Sequence, residues 1–229
     1  MSTKKSLPKS NELGEKGFSE SYWSQNYDEP EEMDGIANAA HHARYIKTFF
    51  DVEFVDISSI IDFGFGLGFL FEAVLKEFYP YRAVGLEPSE HAFNTVKKRQ
   101  INPVQSARFS LKKQSIQKWA ESVKPKSKWF DLGLCTSVFQ HLSEEDLQIV
   151  LPIIARQVKY LYFSVPTDRE LERQVRELDF YDQFAYRRSK KFYRDLIKPH
   201  FTIIGSRVLE SKVHFNEDNS FFTDYLFRD

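Results

Sequence analysis

Cysteine is nearly absent. Cys135 is the single one in 229 residues, so no internal disulfide can form, as expected of a reducing compartment. No run of about 18 apolar residues occurs, which leaves nothing long enough for a transmembrane helix. The amino-terminal stretch MSTKKSLPKSNELGEKG has no apolar core of the kind a secretory signal needs. These absences point to a soluble cytoplasmic protein with no membrane partner. An excess of positive charge is missing too. Lys and Arg number 32 against 33 Asp and Glu, a formal net charge of −1. The global basic field of nucleic-acid binders is therefore lacking. The local clusters Lys97-Lys98-Arg99, Lys124 to Lys128 and Arg187 to Lys191 read as solvated helix faces and loops. There is no internal repeat and no low-complexity segment.

Aromatic residues, by contrast, are abundant: 22 Phe, 11 Tyr and 3 Trp. Each large ring buries much apolar area, and such rings also suit the wall of a pocket for a flat ligand. Apolar residues make up 41%, enough for one sizeable core.

Along the chain, residues 1–17 are polar and read as a mobile tail. Residues 18–50 form an aromatic and charged cap, with a helix over Ala37 to Phe50. From residue 51 onward the pattern alternates. Strands are predicted at Ser59 to Phe63, Arg82 to Leu86, Ala107 to Leu111, Trp129 to Cys135 and Lys159 to Val165. Between them lie helices: Leu70, Phe71, Val74, Leu75 and Phe78 share one helical face, and Ser89 is placed to cap a helix reaching Arg99. A short helix follows over Ile116 to Val123. Ser143 with Asp146 resembles a capping box, opening a helix that contains Pro152, a residue able to kink it. Asp168 to Asp195 reads as two helices, which makes about 167–188 a helical insertion. Two last strands, Phe201 to Leu209 and Ser220 to Phe227, are expected to form a hairpin across Asn216 to Asn219. Such alternation predicts an α/β fold with a doubly wound, mostly parallel sheet. Helices cover both its faces, and a carboxy-terminal antiparallel pair completes it.

The most informative segment is Ile60-Ile61-Asp62-Phe63-Gly64-Phe65-Gly66-Leu67-Gly68-Phe69. A strand runs into three glycines at alternate positions and then into an amphipathic helix. Glycines there let the backbone turn sharply and approach a ligand. A dinucleotide fingerprint needs G-x-G-x-x-G. Here Phe69 holds the third glycine's place and Gly68 comes one residue early, which argues against a nicotinamide oxidoreductase. Glu87 closes the second strand 19 residues past Gly68, where a carboxylate can accept hydrogen bonds from vicinal ribose hydroxyls. A third segment, Phe130-Asp131-Leu132-Gly133-Leu134-Cys135, continues through Thr136 to His141-Leu142.

Together these segments resemble the class I, seven-stranded S-adenosylmethionine-dependent methyltransferases, over about residues 40–229. The resemblance implies a glycine loop curled around the methionine half of the cofactor, with Glu87 and the adjoining Pro88 at its ribose. It implies Asp62 near the methionine ammonium; on the residues alone, Asp62 can equally fix the loop's own amides. Many members place an acid after the third strand to meet the adenine. This chain has Lys112-Lys113-Gln114-Ser115 there, so Gln114 or Ser115 is the remaining candidate. Cys135 stands at the sheet's carboxyl edge beside the expected cofactor and is read as a small buried side chain. Arg44, in the helix before the first strand, is a candidate for the cofactor carboxylate, with a solvated helix arginine as the alternative. The adjacent His41-His42 pair points to different sides of a helix, so no metal site is expected.

His141 follows the fourth strand, where an acceptor would stand. It is either a general base or a histidine packed at the start of the next helix. Tyr22, Trp23 and Tyr27, and later Phe180, Tyr181, Phe184 and Tyr186, are candidates for covering the substrate; such rings also suit a sulfonium cation. The function implied is methyl transfer by in-line displacement to a small or medium-sized acceptor. The Asp/Asn-Pro-Pro-Tyr type motif of amino-directed nucleic-acid methylases is missing, since Cys135-Thr136-Ser137-Val138 stands in its place. Two alternatives stay open: a module that binds the cofactor without catalysis, and methyl transfer to nucleic acid or protein.

Overall fold

The computed structural model describes residues 38–101, 108–178, 180–223, 226 and 228. The expected tail over 1–17, most of the 18–50 cap, and Tyr22, Trp23 and Tyr27 lie outside the described residues. In chain order the elements are α1 (Ala39–Val52), β1 (Ser59–Asp62), α2 (Phe69–Phe78), β2 (Arg82–Leu86) and α3 (Glu90–Arg99). These are followed by β3 (Arg108–Lys112), α4 (Ile116–Ser122), β4 (Phe130–Thr136), a 3-10 turn (Phe139–His141), α5 (Glu144–Gln157) and β5 (Val158–Ser164). Last come α6 (Asp168–Leu178), α7 (Lys190–Ile197), β6 (Phe201–Gly205) and β7 (Val208–Ser211).

Seven strands form one sheet in the order β3-β2-β1-β4-β5-β7-β6. The first five pair in parallel, and β7 runs antiparallel to both β5 and β6. The order reverses between β1 and β4, so a crevice opens beyond their carboxyl ends, where such sheets bind ligands. β5 shows how sequence period becomes two layers. Tyr160 and Tyr162 face one cluster while Leu161 and Phe163 face the other, as period-2 strands require. The first cluster is covered by α1 and α2, with Ala43, Ile46 and Phe50 buried along α1. The second is covered by α4, α5 and α7.

Serine sets several helix starts. Ser89, Ser115, Ser143 and Ser189 each accept an amide from three residues on. This satisfies one of the orphan donors at a helix start and favours the helix by about 1 kcal/mol. The expected Ser143–Asp146 start of α5 is therefore present, and the helix continues through Pro152.

The carboxy-terminal hairpin is not the one expected. Its two strands both lie within Phe201–Leu209 and just beyond, turning at Ser206-Arg207. Of the expected second strand, residues 221–223 form a turn and 224, 225 and 227 lie outside the described residues; Phe222 is buried, its ring stacked on Phe49 at 5.2 Å. The apolar run hid the turn because its left-handed position is Arg207, at φ 66°, where glycine or asparagine is the usual signal. No described helix is long and apolar enough to cross a membrane.

Candidate functional site

The glycine loop leaves β1 at the switch point. The Phe63 amide still donates to Leu134 on β4, at 2.9 Å; then the chain turns away. Gly66 and Gly68 sit at φ 54° and 77°, a region costly for other residues. Gly68 also opens α2. A Cβ on Gly64 would stand 2.6 Å from the Val138 side chain, so the segment after β4 rests directly on the loop.

Two carboxylates hold the loop's shape. Asp62 Oδ1 accepts from the Gly64 amide at 3.0 Å. Glu87 Oε2 accepts from Gly66 at 2.8 Å, and its Oε1 from Ser89 at 2.9 Å. Both acids are buried, and burial pushes each carboxyl up to about 7, against the pull of these amides. Glu87 raises Asp62 further by like charge. Among the described residues, no lysine or arginine pairs with either. The site thus holds two costly buried acids whose ionised forms a cationic ligand would favour.

Of the two adenine candidates beyond β3, Ser115 is buried and its hydroxyl caps α4. Gln114 is half-buried, and its amide donates to the Glu87 carbonyl at 3.1 Å. Pro88 is half-buried beside them. Cys135 is fully buried; burial first, and the Asp62 charge second, hold its thiol well above the usual range. It is therefore a packing thiol, with no ready thiolate. Arg44 is exposed on α1, where it donates to the Ala40 carbonyl at 3.3 Å and to His41 Nδ1 at 3.2 Å. No described contact joins it to the glycine loop.

His141 ends the 3-10 turn after β4. Its Nε2 lies 3.6 Å from Asp182 Oδ2, and Asp182 Oδ1 accepts from the Phe184 amide at 3.1 Å. Burial lowers the imidazole's affinity for a proton, opposed by Asp182 and a backbone bond with Phe184. Phe184 and Tyr186 lie in the irregular segment between α6 and α7, which is sewn to the turn. The Tyr186 amide donates to the Gln140 carbonyl at 2.7 Å. Arg188 donates to the carbonyls of Phe139 and Leu142, its guanidinium 4.4 Å from the Tyr186 ring.

Three residues of this edge gave no usable signal in the sequence. Asp182 is far from His141 in sequence and lies in a stretch of mixed charge. Val138 packs on Gly64 only because β4 neighbours β1. Arg99 ends α3 in a basic cluster, yet it donates to the Leu67 carbonyl, pairs with Glu72 and covers the Phe69 ring. It thereby clasps the far side of the glycine loop.

Residues 60–160 match the family model of a methyltransferase domain. No curated protein sequence matches the chain. Among solved structures, the plantazolicin methyltransferase BpumL in complex with SAH superposes with a TM-score of 0.64 at 17% identity, covering 83% of this chain and 74% of that one. Magnesium protoporphyrin IX methyltransferase from Synechocystis PCC 6803, with bound SAH, gives 0.54 at 15% identity, with 88% and 95% covered. The small RNA methyltransferase HEN1 gives 0.57 at 16% identity, with 75% of this chain and 25% of that one covered. At these identities the likeness is one of fold.

Proposed function

We propose that this chain is a class I methyltransferase, as the methyltransferase-domain match over residues 60–160 and the sheet order support, and that it binds S-adenosylmethionine at the glycine loop and directs its methyl group to an acceptor beyond β4 and β5. One observation carries the proposal. Asp62 and Glu87 stand at the carboxyl ends of β1 and β2, buried, each pushed up to about 7. A ligand bearing an ammonium, a sulfonium and vicinal hydroxyls supplies what they lack. After taking one amide each, the two Glu87 oxygens retain lone pairs for hydroxyl donors. The positive φ angles of Gly66 and Gly68 set the loop backbone in a concave path that a side chain would obstruct. The residues therefore fit the group.

When bound, this cofactor supplies an electrophilic methyl on a cationic sulfur. The protein's part is alignment and exclusion of water. Val138 against Gly64 and the Arg99 clasp on Leu67 fix the loop from two sides. His141, held by Asp182, is proposed as the group that takes a proton from the acceptor where the nucleophile must lose one. Its lowered proton affinity keeps the imidazole neutral near pH 7, the form a base needs. The segment carrying Phe184 and Tyr186 is proposed to cover a small or medium-sized acceptor. The single buried cysteine suits action in the cytoplasm.

Calorimetric titration with S-adenosylmethionine, S-adenosylhomocysteine and NADH tests the proposal. The first two should bind and the third should not. Absence of binding by both at millimolar concentration would remove it. Labelled cofactor incubated with fractionated cell extract then identifies the acceptor through its labelled product.

A further inference from the structure

At the amino ends of the strands, opposite the glycine loop, aromatic and cationic side chains gather that the methyl site does not use. Tyr81 and Trp129 stand immediately before β2 and β4, and they are 55% and 49% exposed. Single large rings on a surface are ordinary; rings joined into a patch mark an interaction site.

Arg82 joins these two. Its Nη1 donates to the Lys128 carbonyl at 3.3 Å and its Nη2 to the Trp129 carbonyl, while its guanidinium lies 3.8 Å from the Phe130 ring. Arg108, exposed at the start of β3, sets its guanidinium 5.8 Å from the Tyr81 ring. On the other side, the Trp129 ring lies 5.4 Å from His214. The strand order β2-β1-β4 places Tyr81 and Trp129 two strand spacings apart, about 10 Å.

The α4 side of this edge is cationic. Residues 124–128 close a turn: the Ser127 amide donates to the Lys124 carbonyl at 2.9 Å, and the Lys124 amide to the Ser127 hydroxyl at 3.0 Å. That turn presents Lys124, Lys126 and Lys128, all exposed. The acids are spent or lie to the side. Asp131 is taken by Lys159. Glu53, Asp56 and Glu77 lie at the ends of α1 and α2, which cover the other face of the sheet. Glu217 and Asp218 follow His214 and end the cationic run on the β7 side. Glu121, on the last turn of α4, is the described acid beside the lysines. Arg82 and Arg108 are near enough for like charge to disfavour Arg82, after burial and against the pull of Asp131. An anion at this edge relieves that repulsion.

We propose that the amino edge from β3 to β4 docks single-stranded nucleic acid, with Tyr81 and Trp129 as stacking platforms for bases and Arg108 and the lysines of the 124–128 turn on the phosphates. Every base has a face that an aromatic ring can stack on, and cations tracking the backbone complete such surfaces. The formal net charge of −1 gives no long-range attraction, so the binding is local and sensitive to salt. The surface lies at the opposite edge from Asp62 and Glu87, and the proposal does not depend on methyl transfer.

The test follows fluorescence anisotropy of labelled oligouridylate, about 15 nucleotides long, against the full chain at pH 7.5. A dissociation constant on the order of 1–100 μM is expected in 50 mM salt. Contact with about three phosphates predicts roughly a 20-fold loss at 200 mM. Tyr81→Ala and Trp129→Ala should each weaken binding at least about fivefold with the salt dependence unchanged. Lys126→Gln combined with Lys128→Gln should flatten the salt dependence. Lys191→Gln, on α7, should change nothing, and affinity for S-adenosylhomocysteine should stay within twofold in every variant. A duplex of the same length should bind at least tenfold more weakly, because its bases are already stacked. No binding by the oligonucleotide, equal binding of the duplex, or unchanged affinity in both aromatic variants overturns the proposal. So does binding to phosphatidylglycerol vesicles that the oligonucleotide cannot displace, which would make the edge a membrane contact.

Discussion

Glu87 and Gly66 are joined by a 2.8 Å hydrogen bond from the glycine amide to Oε2, which ties the end of β2 to the middle of the glycine loop. The same carboxylate takes the Ser89 amide on its other oxygen. Glutamine in its place must turn an NH2 group toward one of those amides, setting donor against donor. Glu87→Gln should therefore lower the stability of the ligand-free protein by about 1–3 kcal/mol. It should also weaken S-adenosylhomocysteine binding at least tenfold, about 1.4 kcal/mol. Denaturant unfolding and calorimetry measure the two effects separately. Unchanged ligand affinity in a folded variant would place Glu87 outside the site.

The raised acids make binding depend on pH. Asp62 and Glu87 titrate near 7 in the folded chain, above their ordinary values of 3.8 and 4.5. Between those limits the folded state holds more protons than the unfolded one, so their contribution to stability falls as pH rises from about 4 to about 7 and is level above that. Ligand binding runs the other way, since the ionised carboxylates are the better acceptors. Affinity for S-adenosylhomocysteine should increase from pH 6 to pH 8, and the increase should shrink in Glu87→Gln. A flat profile in the unmodified protein would mean that neither acid changes charge on binding.

Most of the strand–helix alternation was legible in the sequence, because short buried strands and serine-capped helices carry local signals. Ser89 and Ser143 were identified by the amphipathic runs they precede. The glycine loop and Glu87 were legible for the same reason: each is a local backbone demand at a strand end. What stayed hidden depends on long-range pairing. His42 meets Tyr162 and Arg207 only because α1 lies across β5 and the β6–β7 turn. The part played by Asp131 was hidden for the same reason: its carboxylate meets Ser58, Ser59 and Lys159 at the opposite edge of the sheet.

That role of Asp131 is itself testable. Its Oδ2 accepts from the amides and hydroxyls of Ser58 and Ser59 at 2.8–3.1 Å, while Lys159 pairs with Oδ1 at 2.9 Å. These contacts lock the amino ends of β1, β4 and β5 together. Removing the carboxylate strands the serine donors and the lysine charge. Asp131→Ala should lose about 2–4 kcal/mol of stability and keep its S-adenosylhomocysteine affinity within twofold, since Asp62 lies at the other end of β1. A large loss of affinity in a folded variant would show that the amino edge also shapes the site.

The His141–Asp182 pair separates a base from a packing histidine without any acceptor in hand. Burial lowers the proton affinity of His141, and the Asp182 charge partly restores it. Asp182→Asn should therefore lower the His141 pKa further, which its Cε1 proton resonance reports by NMR titration. In the unmodified protein the folded imidazole binds protons less readily than the unfolded one, so His141 costs stability as pH falls through about 6.5. Asp182→Asn should steepen that acid loss. Once an acceptor is identified, a base acting through this pair predicts a drop in kcat for His141→Gln with little change in KM, and an acid limb in the kcat profile that tracks the NMR value in both proteins. Proton removal typically contributes 10²–10⁴-fold, so a kcat within threefold of the unmodified protein, at a KM likewise unchanged, would leave His141 as packing alone.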